Sequence, residues 1–139
     1  MKKISLIVLL GLLLPITTWA SSYEGVKLET PPIQMADKDS LLRGAKTFMT
    51  YCLSCHSIQY MRYEQMAEGL GFTEDKEKQL QANGLFPSGA KITDPIKSPL
   101  TADAAAKTFG TVPPDLTLEA RVRGISWIYT YLHSFYKDA

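Results

Sequence analysis

Apolar residues recur at helical spacing through the stretch DSLLRGAKTFMTYCLSCH, residues 39–56. The pattern predicts a helix that begins at Asp39 or Ser40 and runs into a pair of cysteines. Its apolar face is formed by four residues three or four apart: Leu41, Ala45, Phe48 and Cys52. We expect Phe48 and Tyr51 to be core residues that also form an apolar wall beside the cysteines.

Two more helices are predicted in the middle of the chain. A charged one opens at Thr73 to Asp75 and closes at Asn83 and Gly84. A short one is indicated by TADAAAKTF, residues 101–109, within a long connection from Leu85 to Val112 that prolines and glycines interrupt. A connection of this length is usually functional or faces a partner, and a loosely ordered loop is the alternative.

The C-terminal part predicts two helices in succession. Asp115 is a suitable N-cap for a helix from Leu116 to Arg123, which Gly124 would end. Ser126 would then cap a second helix, rich in aromatic residues. Strand signals are sparse along the whole chain, so the predicted fold class is mostly α.

The first twenty residues have the pattern of a secretory signal peptide. Two lysines precede an apolar run, and small residues at Thr18 and Ala20 suit cleavage after Ala20. The expected domains are therefore a signal peptide at 1–20 and one exported domain at 21–139. Removing the leader changes the net charge from +1 to −1, because it contains two lysines and no acidic residue. This near-neutral balance gives no electrostatic reason to expect nucleic-acid binding.

The chemistry of the chain is concentrated in YCLSCHS, which contains its only two cysteines, Cys52 and Cys55, followed by His56. Cys-x-x-Cys-His is the attachment signature of haem c, in which both sulfurs form thioethers and the histidine ligates the iron. Structural zinc needs four ligands, and His133 is the one further Cys or His available. A redox-active thiol pair would follow a strand, whereas these flanks look helical. The motif favours covalent haem over both alternatives.

Three blocks in this order resemble the cytochrome c1 family: LLRGAKTFMTYCLSCHSIQYMRY, then PPDLTLEARVRG, then WIYTYLHSFYKD. The resemblance extends from about Ser40 to the end of the chain. It implies a helical c-type cytochrome domain with long loops around one haem c. In this family the haem iron carries single electrons from the Rieske iron–sulfur protein to a soluble cytochrome c, in a membrane complex that also contains cytochrome b.

The resemblance also assigns site residues. It implies that Cys52 and Cys55 hold the haem, that His56 is the fifth iron ligand and that the segment at Pro114 packs on the haem. It further implies that Arg123, or Arg121, reaches a haem propionate. Arginine suits this role because its guanidinium pairs bidentately with a carboxylate and stays charged when half-buried.

The sequence departs from the family at its C-terminal end. Cytochrome c1 continues through a methionine that is the sixth iron ligand and on to a C-terminal membrane helix, so we expect a partial cytochrome c1 without these two segments. The methionines near the motif are expected to be packing residues: Met35, Met49, Met61 and Met66. His133 is then a better candidate for the sixth ligand than these methionines. We nevertheless expect it to be an exposed or core-edge histidine, and the sixth site to be open to water with a minor histidine-ligated population.

The expected function is that of an electron-transfer subunit of ubiquinol:cytochrome c oxidoreductase rather than a catalyst on its own. The signal peptide places such a subunit on the periplasmic face of the inner membrane. The alternative is a stand-alone c-type haem protein with an open sixth site, which binds gases or reduces peroxide.

Overall fold

The computed structural model describes residues 26–135, so the predicted signal peptide at 1–20 lies outside the described residues. Within this range helices predominate over a two-stranded sheet, which confirms the predicted fold class. The elements in chain order are α1 (Lys38–Thr47), a π-helical turn (Phe48–Cys52), β1 (Ile58–Arg62), α2 (Tyr63–Leu70), α3 (Lys76–Ala82), β2 (Pro95–Ile96), α4 (Ala102–Phe109), α5 (Glu119–Val122) and α6 (Ile125–His133).

Helix α1 begins slightly earlier than the sequence predicts. Its N-cap is Asp37, whose carboxylate accepts a hydrogen bond from the backbone N–H of Ser40 at 3.0 Å. The prediction of Asp39 or Ser40 as the N-cap is therefore wrong, because the Ser40 N–H is the donor in the capping hydrogen bond and Asp37 provides the acceptor. At its other end α1 continues directly into the π-helical turn, so a helix does deliver the cysteine motif, as predicted.

The two predicted helices in the middle of the chain are both present. Helix α4 is capped by the Thr101 side chain, which accepts from the N–H of Ala104 at 3.2 Å, and it ends at Gly110 in a left-handed conformation (φ 73°). Helix α3 begins only at Lys76, later than predicted, because Asp75 has a left-handed backbone (φ 42°) that no α-helix can include.

The hydrophobic core is built around α2. Four residues of this helix are buried at helical spacing: Tyr63, Met66, Ala67 and Leu70. Three side chains from later in the chain complete the core and are fully buried: Leu80, Leu85 and Ile96. The core thus joins α2 to α3 and β2, and partly buried residues of α1 pack against it.

A short antiparallel sheet connects the exit of the cysteine motif to this core. Strand β1 follows the motif directly and pairs with β2, with Ile58 opposite Ile96 and Arg62 opposite Pro95. The buried Ile96 anchors the pair in the core. The chain after the motif is therefore held by a strand, which the sequence analysis did not predict.

The C-terminal helices differ from their predicted bounds. Helix α5 covers Glu119–Val122 instead of the expected Leu116 to Arg123, and its N-cap is Leu118. Asp115 cannot cap it because its carboxylate accepts hydrogen bonds from Gln59 and Thr117. Helix α6 starts directly after Gly124, so the prediction that Ser126 caps it is also wrong. The Ser126 carbonyl instead accepts from the Thr130 hydroxyl inside the helix.

Candidate haem site

The cysteine motif folds as a tight turn at the end of the π-helical turn. The Cys52 carbonyl accepts hydrogen bonds from the backbone N–H groups of Cys55 at 3.1 Å and His56 at 2.8 Å. Both cysteines are free thiols and partly buried. The turn thus brings both sulfur-bearing residues and the imidazole into one short segment, as the sequence analysis expected.

A π-helical turn leads from α1 into the motif, and the four residues of the predicted apolar face are all partly buried: Leu41, Ala45, Phe48 and Cys52. A π-turn contains one residue more than an α-turn, so it rotates the residues after it relative to the apolar face of α1. Tyr51, expected in the core, is 74% exposed, whereas Phe48 is partly buried as expected. Such insertions into a helix are frequent at functional sites.

The orientation of the His56 ring is set by one hydrogen bond. Its Nδ1 lies 2.9 Å from the carbonyl oxygen of Pro114. A carbonyl only accepts, so Nδ1 carries the proton and donates it. The lone pair is then on Nε2, the nitrogen that remains for binding iron. Pro114, which the resemblance places against the haem, therefore contacts the predicted iron ligand.

Residues 114–117 lie alongside residues 56–60 through further hydrogen bonds. The Leu116 N–H donates to the carbonyl of Ser57 at 2.8 Å. The Asp115 carboxylate accepts from the N–H of Gln59 at 2.8 Å through Oδ2, and from the Thr117 N–H at 3.0 Å and hydroxyl at 2.5 Å through Oδ1. These bonds connect two segments more than fifty residues apart, and they hold Pro114 next to His56.

A second loop contacts the motif at Ser98. The Ser98 N–H donates to the Ser57 hydroxyl at 2.9 Å, and the Ser98 hydroxyl donates to the Ser54 carbonyl at 2.9 Å. Ser98 belongs to the long connection between Leu85 and Val112, so this part of the connection is docked on the motif instead of loose. Ser98 was not identified from the sequence, because a single serine between prolines carries no recognisable signal of such a contact.

An open groove of about 440 Å³ lies beside the motif, within the usual size range of small-molecule and cofactor sites. Its lining includes one motif cysteine and residues from both docked loops: Cys55, Gln59, Lys97, Leu100, Val112 and Pro113. Cys55 lines this groove, whereas Cys52 and His56 belong to the same turn but do not line it. Two thiols and an imidazole whose Nδ1 is engaged by Pro114 are the side chains that a covalently attached haem requires. Among residues 26–135 no three His, Cys, Asp or Glu side chains are arranged to hold a metal ion by themselves.

The two predicted propionate ligands lie in and next to α5. Arg123 Nε donates to Glu119 Oε2 at 2.7 Å, and its guanidinium carbon lies 4.5 Å from the centroid of the Trp127 ring. Arg121 is exposed, in the last turn of α5. The contacts with Glu119 and Trp127 hold the Arg123 side chain in one position, and its pairing with a propionate stays a prediction.

His133 lies on α6 and contacts the N-terminal part of the described chain. Its Nδ1 is 3.0 Å from Glu29 Oε2, and its ring packs on Tyr129 with centroids 4.0 Å apart. The Glu29 N–H also donates to the Thr130 hydroxyl at 2.8 Å. His133 thus helps to fasten residues near Glu29 to α6, and its role as a sixth ligand stays untested.

Three of the four methionines expected to pack do so. Met66 is buried in the core, and Met49 and Met61 pack against it. Met35 is 70% exposed, so the expectation is wrong there. It precedes α1 in the turn that leads to the Asp37 cap, outside the core.

The stability of the fold is predicted to depend on pH through Asp115. Burial alone would raise the pKa of Asp115, but the hydrogen bonds from Gln59 and Thr117 outweigh it and lower the pKa below its usual value. A carboxylate with a depressed pKa stabilises the fold above the unfolded-state pKa of about 4, and this stabilisation is lost as the pH falls through the folded-state pKa.

We therefore expect Asp115→Asn to lower the free energy of unfolding by about 2 kcal/mol at pH 7 and by less at pH 3, which lies below the unfolded-state pKa of about 4. Urea denaturation at both pH values measures the difference. Asp103→Asn is the control, because Asp103 is exposed and pairs only with Lys107 on the surface of α4. A loss for Asp115→Asn that is equal at both pH values would contradict the assigned role of the ionised carboxylate.

The chain is similar to known proteins of one family. The chain matches the Cytochrome C1 family over residues 29–139. It is 50% identical over 127 residues to a cytochrome c1 from Allochromatium vinosum, an alignment that covers 91% of this chain and 50% of that protein. A cytochrome c1 from Rhodospirillum rubrum is 35% identical over 118 residues, which cover 74% of this chain and 43% of that one.

A further relative has a different name. The ammonia monooxygenase gamma subunit of Nitrosomonas europaea is 42% identical over 138 residues, covering 99% of this chain and 56% of that protein. The chain spans about half the length of these curated relatives. Within the described range no helix is both long and apolar enough to cross a membrane.

Proposed function

The chain belongs to the cytochrome c1 family, and we propose on this basis that it carries one haem c and transfers single electrons in a quinol-oxidising respiratory complex. In this proposal the Rieske iron–sulfur protein supplies the electron, a soluble cytochrome c receives it, and cytochrome b is a neighbouring subunit. Cys52 and Cys55 hold the haem through thioethers, and His56 Nε2 binds its iron. The haem, when bound, supplies a ferric–ferrous couple.

The hydrogen bond from His56 Nδ1 to the Pro114 carbonyl is the observation that carries this proposal. It selects one tautomer and one ring orientation, as second-shell partners of metal-bound histidines do. A fixed axial ligand suits electron transfer, which requires no side chain to act as acid, base or nucleophile. The chain's own residues have only to hold and orient the haem.

The expected location follows from residues 1–20. A signal peptide would export the chain, and the haem domain would then lie on the periplasmic face of the inner membrane as part of a membrane complex. Haem attachment needs both cysteines as thiols, and Cys52 and Cys55 form no disulfide in the structure.

A second candidate comes from the relative named as an ammonia monooxygenase gamma subunit, whose alignment covers almost all of this chain. The same haem domain would then serve an ammonia-oxidising assembly. The cytochrome c1 assignment is favoured by the family match and by two relatives that carry this name. The two candidates differ in the proteins with which the native chain associates.

The test is to isolate the native chain from detergent-solubilised membranes and add a quinol. We expect cytochrome b and the Rieske protein to copurify, and covalent haem to be reduced before added soluble cytochrome c. As the control, a preparation that lacks the Rieske protein should no longer reduce the haem with quinol. Copurification of the chain with an ammonia-dependent activity, instead of with cytochrome b and the Rieske protein, would favour the second candidate. Peroxide reduction by the isolated chain, without reduction of cytochrome c, would favour a stand-alone haem protein.

Arg123→Leu is expected to lower the midpoint potential of the haem. A nearby positive charge favours the reduced iron, which is the less positive state. Because Arg123 is partly exposed and paired with Glu119, an effect on the order of 1 kcal/mol is reasonable, which corresponds to a few tens of millivolts for one electron. Potentiometric titration of the haem measures it.

Arg43→Leu is the control for this charge change, since Arg43 is exposed on α1 and 3.9 Å from Asp37. Arg121→Leu measures the contribution of the second predicted arginine. A potential of Arg123→Leu equal to that of wild type would remove Arg123 from the haem environment.

A further inference from the structure

We propose that Asp115 is a positioning residue for the axial ligand, because its carboxylate fixes the peptide group whose carbonyl holds His56. The inference rests on the proposed function in one respect, the ligation of iron by His56. It adds a residue that lines the groove and whose carboxylate bonds to Gln59 and Thr117 instead of His56, but which controls the hydrogen bond made by His56.

The ring of Pro114 fixes its own φ at about −65°, so the peptide group between Pro114 and Asp115 can turn only through ψ of Pro114 and φ of Asp115. The Asp115 side chain bonds simultaneously to β1 and to the next turn of its own segment. The Leu116 N–H also donates to the Ser57 carbonyl. These bonds restrict the remaining rotation of the peptide group, so its carbonyl stays directed at His56 Nδ1.

The contacts of Asp115 require a carboxylate. Oδ2 accepts from the Gln59 N–H, and Oδ1 accepts from the Thr117 N–H and hydroxyl. Every partner is a donor in this arrangement, so both side-chain oxygens must accept. Asparagine has only one acceptor oxygen, and its NH₂ group would face a donor on one of the two sides.

Thr117 extends the same connection to β1. Its hydroxyl donates to Asp115 Oδ1 at 2.5 Å and accepts from the Tyr60 N–H at 3.3 Å. Both Gln59 and Tyr60 belong to β1, which begins two residues after His56. The Asp115–Thr117 pair thus joins the segment that supplies the carbonyl to the strand that continues from the ligand.

This arrangement has a consequence for the iron. The bond from Nδ1–H to a carbonyl makes the imidazole a stronger donor, which favours the ferric state. Weakening the bond makes the ferrous state more favourable, so the midpoint potential rises. Loss of the Asp115 charge acts in the same direction, and a variant without a charge change is needed to separate the two effects.

The experiment uses the haem-loaded full chain and four variants. Asp115→Asn removes the second acceptor, and Thr117→Val weakens the same connection without changing charge. Thr117→Ser retains the hydroxyl and should behave as wild type. Asp94→Asn is the matched control, because Asp94 also accepts a backbone N–H, from Lys91 at 2.8 Å, but in a different loop. Circular dichroism establishes that each variant is folded.

Two quantities are measured on each protein. One is the midpoint potential, and the other is the rate at which the His56 Nδ1 proton exchanges with solvent in the reduced protein under carbon monoxide, where nitrogen-15 NMR detects it. We expect exchange to be roughly fivefold faster in Thr117→Val, the factor for one hydrogen bond, and faster still in Asp115→Asn. The midpoint potentials of Thr117→Val and Asp115→Asn should both rise. Thr117→Ser and Asp94→Asn should keep the wild-type exchange rate.

An exchange rate in Thr117→Val and Asp115→Asn equal to that of wild type would overturn the inference. If Asp115→Asn does not fold, Thr117→Val decides alone. Wild-type protein exported without covalent haem would instead refute the proposed function. In that case the exchange of the His56 proton, compared among the same haem-free chains, still decides whether Asp115 positions the ring.

Discussion

Replacing both Cys52 and Cys55 by serine will abolish covalent haem attachment. Serine hydroxyls do not form the thioethers that join the haem to the chain, and the sequence contains no other cysteine to replace them. Exported wild-type protein should keep its haem through acid–organic extraction and denaturing electrophoresis, whereas the double variant should lose all of it. Haem staining of the gel, together with the intact mass, measures the difference.

The single variants make the prediction more specific. Cys52→Ser and Cys55→Ser each leave one thiol, so each should carry at most one thioether and give a lower yield of haem-loaded protein. Ser54→Ala is the matched control, because Ser54 lies between the two cysteines and its hydroxyl contacts only the Tyr51 carbonyl and Cys55 Sγ. Haem that can be extracted freely from the wild-type protein would refute the assignment.

Those parts of the candidate site whose residues lie close together in the sequence were predictable. Cys52, Cys55 and His56 were identified from spacing alone, and the structure places them in one turn. The short helix indicated by the equally local pattern TADAAAKTF, residues 101–109, is present as α4, Ala102–Phe109. In each case the determining residues lie within a few positions of one another.

Interactions between distant segments were not predictable in the same way. Asp115 has the sequence context of an N-cap, yet its carboxylate bonds to Gln59, more than fifty positions earlier. These tertiary bonds outweigh the local preference, and α5 starts later as a result. Ser98 contacts Ser54 and Ser57 across a similar separation, and no local pattern indicates such a pairing.

The π-helical turn was not predictable for a different reason. The apolar periodicity predicted one continuous helix up to Cys52, whereas residues 48–52 form a π-helical turn. No residue in FMTYC has an identifiable preference for a π-turn. The predicted apolar face from Leu41 to Cys52 stays partly buried, but Tyr51, also expected in the core, is exposed.

The His56→Ala variant is expected to keep covalent haem but to lose the wild-type spectrum. Both thioether cysteines remain, so attachment continues, while the iron loses its proximal imidazole. The Pro114 carbonyl simultaneously loses its donor. We expect displaced Soret and visible bands and a large change in midpoint potential, because axial-ligand identity is a principal determinant of both. Optical and resonance Raman spectra of the purified protein measure the change.

His133→Ala is the matched control, because His133 is the only other histidine in the chain. Its imidazole is held by Glu29 and Tyr129 on α6. Its removal should cost about 1 kcal/mol, as for a typical hydrogen bond, and leave the haem spectrum unchanged. An unchanged spectrum in His56→Ala, with an altered one in His133→Ala, would show that His133 ligates the iron. The bond between His56 and Pro114 would then be structural only, since a ring that does not bind iron has no ligand strength to adjust.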